Sequence, residues 1–377
     1  MKRALRILFV TNNYVPYKAG VVSSIHASIE GLQKSGHDVS LLTLAFSGAY
    51  VDPEYVHRIE CPITFTYKKN PMAVPWNPSG AIREKIEQYR PDIIHVHHPF
   101  LLGPATVEAT SMSGIPIIFT YHTLYDRYCH YVPLPETITK TIIKRLVTSF
   151  CRSVHGIIAP STYVHQWLVR HTIYKPIQVI PSSLQSYFSP SSFFTHKTKN
   201  SYCNLLTVGR LVAEKNVSFL CEMFSQLPQG FTLTIAGYGA DYEALCSYVY
   251  NTLHLSPEIV FFVHNPDKAL LQQLYMRADL FLFASQTDTQ AIVLAEAMAH
   301  GTPVIALDGP GQRDIVQEEY NGFLVDSMNH MQYCIEMVAQ DGALHKKLQQ
   351  GAWQTAHRYT QEAVTQKLVD FYYQLQQ

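Results

Sequence analysis

Arg6-Ile-Leu-Phe-Val-Thr11 encloses a short apolar run, and together with the forty residues after it that run decides the fold. A strand buried on both faces needs such a run. A loop through Pro16 and Gly20 leads to Val22, Ile25, Ile29 and Leu32, which recur at helical spacing, and Gly36 stands where that helix would end. Val39 to Ala45 is the next strand. A strand, a helix and a second strand within forty-five residues predict a β-α-β unit with parallel strands.

The pattern continues. Ile93 to His97, Ile117 to Thr120 and Gly156 to Ala159 read as further strands with helical segments between them. Residues 181–202, beginning Pro181-Ser-Ser-Leu-Gln-Ser-Tyr-Phe-Ser-Pro, are turn-rich and lack periodicity, so they read as a linker. The alternation then restarts at Leu205 to Val208, Phe231 to Ala236, Ile259 to Val263, Leu280 to Ala284 and Pro303 to Ala306. Two doubly wound α/β domains, 1–185 and 200–355, are expected, with a helical stretch over about 356–377.

Composition narrows the function. The 377 residues are 47% hydrophobic and 15% charged, enough for packed cores and too little charge for a disordered chain. Lys+Arg and Asp+Glu both number 29, which argues against a dedicated nucleic-acid binder. The zero balance hides an asymmetry. Residues 1–180 carry 18 Lys/Arg against 11 Asp/Glu, a balance of +7, and the remainder carries −7. Seven scattered cysteines without a C-x-x-C pair fit reduced thiols in the cytosol. No stretch approaches the ~20 apolar residues of a spanning helix. A soluble or membrane-surface protein is expected.

Three strand exits hold the candidate chemistry, because ligands of open α/β sheets gather at the carboxyl ends of strands. After Leu206-Thr-Val-Gly209 come Arg210 and Lys215, two cations that could hold a diphosphate; the plain alternative is a solvated loop. After Leu280 to Ala284 come Asp288, then a helix starting near Ala291, Ile292 and Val293, whose first N–H groups favour an anionic phosphate. Glu296 falls inside that helix. Singly, Asp288 could be a capping residue and Glu296 a solvent-facing one. After Ile117 to Thr120 comes His122 among Tyr121, Tyr125 and Tyr128, a cluster that suits sugar or acyl-chain contact as well as core packing. Two other readings are weak. Ala236-Gly237-Tyr-Gly239 lacks the third glycine of a dinucleotide fingerprint, and His95-Val-His97-His98 alternates along a strand without a partner cluster, so no metal site is expected.

Taken in order, these sites resemble glycosyltransferase family 4 over nearly the whole chain. Gly20-Val-Val-Ser-Ser-Ile25 is similar to that family's first glycine-containing loop, Gly209-Arg210 to Lys215 to its diphosphate clamp, and Asp288 to Glu296 to its Glu-x7-Glu motif. Ala297-Met-Ala-His-Gly-Thr-Pro-Val304 matches the continuation of that motif. Within the family, Thr120-Tyr-His-Thr-Leu-Tyr-Asp-Arg-Tyr-Cys-His-Tyr-Val132 is most similar to the diacylglycerol glucosyltransferase branch. Three positions depart from the pattern: Asp288 stands for the first Glu, Ala291 for a Gly, and Pro181-Ser-Ser183 for Pro-Asn/Thr-Gly.

The resemblance implies a GT-B fold, two Rossmann-like domains facing a cleft, with the C-terminal helix returning to the N-terminal domain. It implies a metal-independent retaining hexosyltransferase that takes a nucleotide-diphosphate sugar, with UDP-glucose expected, and needs no cofactor. Arg210, Lys215 and the helix start at Ala291 to Val293 would hold the diphosphate, and Gly20 would let its loop approach it. Asp288 and His122 would bind the sugar's hydroxyls and Glu296 the ribose. Domain closure would exclude water. A lipid such as diacylglycerol is the expected acceptor, on the cytoplasmic leaflet. Ile138 to Arg152 could lie there as a basic amphipathic helix, although core packing with a solvated basic face explains the same pattern. The alternatives are a soluble sugar or metabolite as acceptor, or an inactive GT-B scaffold.

Overall fold

A computed structural model describes residues 3–15, 20–46, 48, 51–67, 70–125, 135–191 and 202–376. The chain divides into two compact units, Met1–Ser183 with Val364–Gln377, and Leu184–Ala363.

The first unit runs β1 (Arg6–Val10), α1 (Gly20–Lys34), β2 (Asp38–Leu44), β3 (Val56–Ile59), β4 (Ile63–Tyr67), β5 (Asn70–Val74), α2 (Pro78–Tyr89), β6 (Ile93–Val96), α3 (Leu102–Thr110), β7 (Ile117–Thr120), α4 (Glu136–Ser153), β8 (Gly156–Ala159), α5 (Thr162–Arg170) and β9 (Ile177–Val179). Seven strands form one parallel sheet in the order β3-β2-β1-β6-β7-β8-β9. Alternation along β1 supplies both faces: Leu8 and Val10 join one core cluster, Ile7 and Phe9 the other. Gly36, at φ +83°, takes the chain out of α1 while the His37 N–H donates to the Leu32 carbonyl. The antiparallel pair β4-β5 stands apart from the sheet.

The second unit runs β10 (Cys203–Arg210), α6 (Val217–Ser225), β11 (Phe231–Tyr238), α7 (Tyr242–Ser247), β12 (Val260–His264), α8 (Lys268–Arg277), β13 (Leu280–Phe283), α9 (Ile292–Ala299), β14 (Val304–Leu307), β15 (Gly322–Val325), α10 (Met328–Gln340) and α11 (Gly342–Ala356). Its parallel sheet has the order β12-β11-β10-β13-β14-β15. Again one strand feeds two cores: Leu280 and Leu282 of β13 face one cluster, Phe281 and Phe283 the other.

Three features differ from the expectation. The stretch after Pro181 is not all linker, because Leu184 and Phe188 are buried in the second unit's core. Residues 192–201 of that stretch lie outside the described residues. The C-terminal helix does not begin near 356. α11 ends at Ala356, a 3₁₀ turn comes next, and α12 (Gln361–Gln374) starts anew after Thr360, whose hydroxyl accepts from the Ala363 N–H at 3.3 Å. Finally β3, β4, β5, β9 and β15 add strands to those expected. No disulfide joins any of the described cysteines.

Candidate functional site

In each sheet the strand order reverses at one place, between β1 and β6 in the first unit and between β10 and β13 in the second. Loops diverge there and leave a crevice at the strands' carboxyl ends. The candidate residues fall at these two places.

In the second unit, Arg210 ends β10 and Lys215 closes the 3₁₀ turn Ala213–Lys215 just beyond it. Both line a small pocket with Thr207, Gly209, Ala236 and Phe283. Lys215 Nζ meets Asp288 Oδ1 at 2.6 Å, although the two are 73 residues apart in sequence. The pair is mostly buried, and Asp288 Oδ2 has no hydrogen-bond partner among the described residues. A buried lone carboxylate oxygen is costly unless something else donates to it. Arg210 donates to Glu214 Oε1 at 2.6 Å. Ser285 Oγ donates to the Glu214 carbonyl at 3.1 Å, tying the loop after β13 to the turn that carries Lys215.

α9 begins at the next step. Its cap, Ala291, is buried and left-handed, with φ 55° and ψ 52°. A residue with a Cβ pays about 1–2 kcal/mol for that conformation. The cap leaves the N–H groups of Ile292 and Val293 at the helix start, where the dipole is positive. One turn on, the Tyr275 hydroxyl donates to Glu296 Oε2 at 2.9 Å, and His300 Nδ1 meets the Glu296 carbonyl at 2.9 Å. Burial pushes the Glu296 carboxyl up to about 7, against the pull of the Tyr275 hydrogen bond. Near neutral pH this group is a mixture of acid and carboxylate.

The Gly237–Gly239 pair has a structural explanation. A Cβ on Gly237 would sit 1.9 Å from the Gly209 carbonyl oxygen, and one on Gly239 would sit 2.1 Å from that of Leu211. These glycines let β11 and its exit lie against β10; they are packing residues.

In the first unit, His122 follows β7 and shares a 2.9 Å hydrogen bond between its Nε2 and His97 Nδ1. The two rings stack with centroids 5.2 Å apart. His97 packs in turn, tilted, against His95, whose Nδ1 meets the Tyr372 hydroxyl and whose Nε2 meets Thr120 Oγ1, both at 2.7 Å. His98 Nδ1 accepts the Asn12 N–H at 3.3 Å. Burial lowers all four imidazoles, His95 to about 3, His98 to about 4, and His97 and His122 well below their ordinary range. All four are therefore neutral at pH 7, and His122 can serve as a hydrogen-bonding group, not as a cation. Among the described residues, no group of three or more His, Cys, Asp or Glu is arranged to hold a metal ion.

The tyrosines divide. Tyr121 is a core residue against Phe119 and Trp167, and Tyr125 packs on Phe100. Tyr128 lies outside the described residues. Gly20 starts α1, and a Cβ built there meets nothing within 4 Å, so no neighbour in the described chain demands a glycine. The structure thus joins Lys215 with Asp288 and sets Arg210 beside Lys215 in one pocket lining. Glu214 and Tyr275 are additional members that the sequence reading missed, and His97, weighed there only as part of a metal-free His run, is a third. Glu214 sits beside Lys215 in the sequence, and the spacing of Tyr275 was that of an ordinary core aromatic.

Residues 19–184 match the family model described as Glycosyltransferase Family 4, and residues 190–352 that described as Glycosyl transferases group 1. The chain is 28% identical over 336 residues to the alpha-monoglucosyldiacylglycerol synthase of Streptococcus pneumoniae, covering 85% of this chain and 75% of that one. It is 23% identical over 398 residues to the enzyme of the same name from Acholeplasma laidlawii, covering 98% and 97%. Among solved structures, a sucrose-phosphate synthase from Thermosynechococcus elongatus superposes with a TM-score of 0.80 at 19% identity, covering 98% of this chain and 99% of that one. HepE of Anabaena in complex with UDP gives 0.77 at 16% identity, covering 98% and 100%. These superpositions bear on the fold.

Proposed function

Since the chain belongs to glycosyltransferase family 4 and has the two Rossmann-like units of a GT-B enzyme, we propose that it moves glucose from UDP-glucose to a diacylglycerol-type lipid, with retention of configuration and without a metal ion. The observation that carries this reading is the Lys215–Asp288 pair, held beside Arg210 at the reversal point of the second sheet.

The physical problem is the negative charge that accumulates on the departing diphosphate. Arg210, Lys215 and the N–H groups at Ile292 and Val293 are fixed before the reaction, so they stabilise that charge with little reorganisation. Phosphate oxygens would compete with Asp288 for Lys215 and with Glu214 for Arg210. In this reading Asp288, once relieved of part of its attachment to Lys215, turns an oxygen to the sugar's hydroxyls. His122, neutral and held by His97, is the second side chain proposed to bond the sugar's hydroxyls. Glu296, steadied by Tyr275, accepts from the ribose, and Gly20 leaves room for the phosphate.

The lipid acceptor draws on the two synthases among the relatives and on the surface of the first unit. Among the described residues no helix is long and apolar enough to cross a membrane. α4 exposes Ile138, Ile142 and Leu146 at 45–52%, one row at i, i+4, i+8, while Val147, Phe150 and Cys151 face the core. Lys144 and Arg145 are exposed beside that row. A basic face with an apolar row suits the headgroup region of an anionic leaflet, and we place the enzyme on the cytoplasmic one.

The experiment is incubation of the purified protein with labelled UDP-glucose, UDP-galactose and GDP-mannose, with and without diacylglycerol vesicles, in EDTA. Glucosylated lipid is the expected product. Transfer only to a soluble acceptor would overturn the lipid assignment, and loss of turnover in EDTA, restored by a divalent cation, would overturn the metal-free route. No turnover with any donor favours an inactive scaffold.

A further inference from the structure

The β4-β5 hairpin has two unlike faces. Ile63 pairs with Val74 and Phe65 with Met72, so these four side chains share one face. On the other face Ala73 is buried in the same core cluster as Val147 and Phe150 of α4. Among the described residues nothing covers the shared face. Ile63, Phe65, Met72 and Val74 are 39–55% exposed, and Trp76, two residues beyond β5, is 88% exposed. Between Glu60 and Glu84 the sequence has no acidic residue, and its charges are Lys68, Lys69 and Arg83.

From this we infer that the hairpin face is a membrane-inserting element, which enters the headgroup and upper acyl region of an anionic bilayer with Trp76 at the interface; it rests on the lipid-acceptor reading. Apolar side chains gathered on one exposed face mark a contact surface. Three arguments choose the bilayer. Five apolar side chains are far fewer than the roughly 20–30 residues that each side of a stable dimer contributes. Tryptophan is the residue that settles at the boundary between headgroup and acyl chain, with an apolar body and one N–H for the polar side. The basic, acid-free stretch complements anionic lipid and repels a second copy of itself. α4 and the hairpin then have separate tasks: α4 attracts electrostatically, and the hairpin inserts.

Trp76 is its own reporter, since the chain has two other tryptophans, Trp167 and Trp353, both partly buried. The test compares tryptophan emission of the wild type and Trp76→Phe on vesicles of phosphatidylglycerol and phosphatidylcholine, some carrying brominated acyl chains. A blue shift and bromine quenching in the wild type, both lost in Trp76→Phe, are expected. Phe65→Ser with Met72→Ser should cut vesicle partitioning by about tenfold or more, while glucose transfer to detergent-dispersed diacylglycerol continues. If lipid is glucosylated but Trp76 stays unquenched on bound vesicles, the hairpin inference is wrong and the acceptor reading stands. If Trp76 is quenched but no lipid is glucosylated, insertion stands and the acceptor reading falls. A blue shift that grows with protein concentration in the absence of vesicles would show self-association and overturn the inference.

Discussion

Lys215 and Asp288 form an ion pair at 2.6 Å, and that contact changes what their substitutions report. Lys215→Ala should cost about 2–4 kcal/mol in kcat/KM, the scale of one preorganised donor to a developing anion. It also strands the buried Asp288 carboxylate, so part of any loss belongs to the fold. Lys215→Ala combined with Asp288→Asn separates the two terms: melting temperature should recover towards wild type, and activity should not. Asp288→Asn alone should cripple transfer while UDP still binds; transfer at wild-type rate would remove Asp288 from the site. Glu296 gives a pH signature. Its folded carboxyl titrates near 7, above an unfolded value of about 4.5, so the folded state holds the extra proton. Native stability is therefore intact below about pH 4.5 and falls as pH rises through 7. Glu296→Gln keeps an acceptor for Tyr275 and has no charge to bury. Its unfolding free energy should exceed wild type by an amount that is close to nil at pH 4.5 and greatest above pH 7, about 3 kcal/mol, with a melting temperature raised in step. A difference independent of pH would contradict the buried carboxyl.

At the scale of elements, the apolar strands were the legible ones. Ile117–Thr120 and Gly156–Ala159 fall where the sequence places them, because a strand covered on both faces is nearly all apolar. Val56-His-Arg-Ile59 and Ile177-Gln-Val179 are edge strands with polar residues, and three or four such residues look like loop. The hairpin did carry a signal, the alternation Ile63-Thr-Phe-Thr-Tyr67, but pattern gives no partner for its apolar face. The site was legible in part. Exits from β10 and β13 name Arg210, Lys215 and Asp288, yet only the strand order, with β10 beside β13, makes neighbours of them. Tyr275 and His97 were hidden because a buried aromatic or imidazole is usually core. For α4, one side packs on the core and the opposite side exposes an apolar row beside basic residues, so both readings of its pattern have a residue basis. Cosedimentation decides whether the outer side is used. Binding should rise with anionic lipid, fall with salt, and weaken in a Lys140/Lys144/Arg145 triple alanine variant, since each basic residue contributes about 1 kcal/mol at such a surface. Indifference to lipid charge and to that variant would leave α4 a core helix with a solvated basic face.

Across the whole molecule, the two units differ in charge and share one helix. α12 begins in the second unit and ends in the first, where Val364, Leu368, Phe371 and Tyr372 complete the cluster containing Ile7, Phe9 and Ile118. Without α12 that face of the sheet, already covered in part by α1, would be open to water. Tyr372 does more than fill space: its hydroxyl is the partner of His95 Nδ1, and His95 packs tilted against His97, which holds His122. The end of the chain therefore steadies, through three rings, a residue assigned to the sugar. Tyr372→Phe should cost about 1–3 kcal/mol of stability, because His95 loses its partner where water cannot replace it. Leu368→Ala deletes a larger apolar group at the same interface and should cost about 2–5 kcal/mol, without breaking any hydrogen bond. Comparing the two variants tests the chain of rings. Matched to equal residual stability by temperature, Tyr372→Phe should lower kcat further than Leu368→Ala, because only the first frees His95 to turn. Equal kcat in the two would reduce α12 to a cover for the sheet and detach His122 from it.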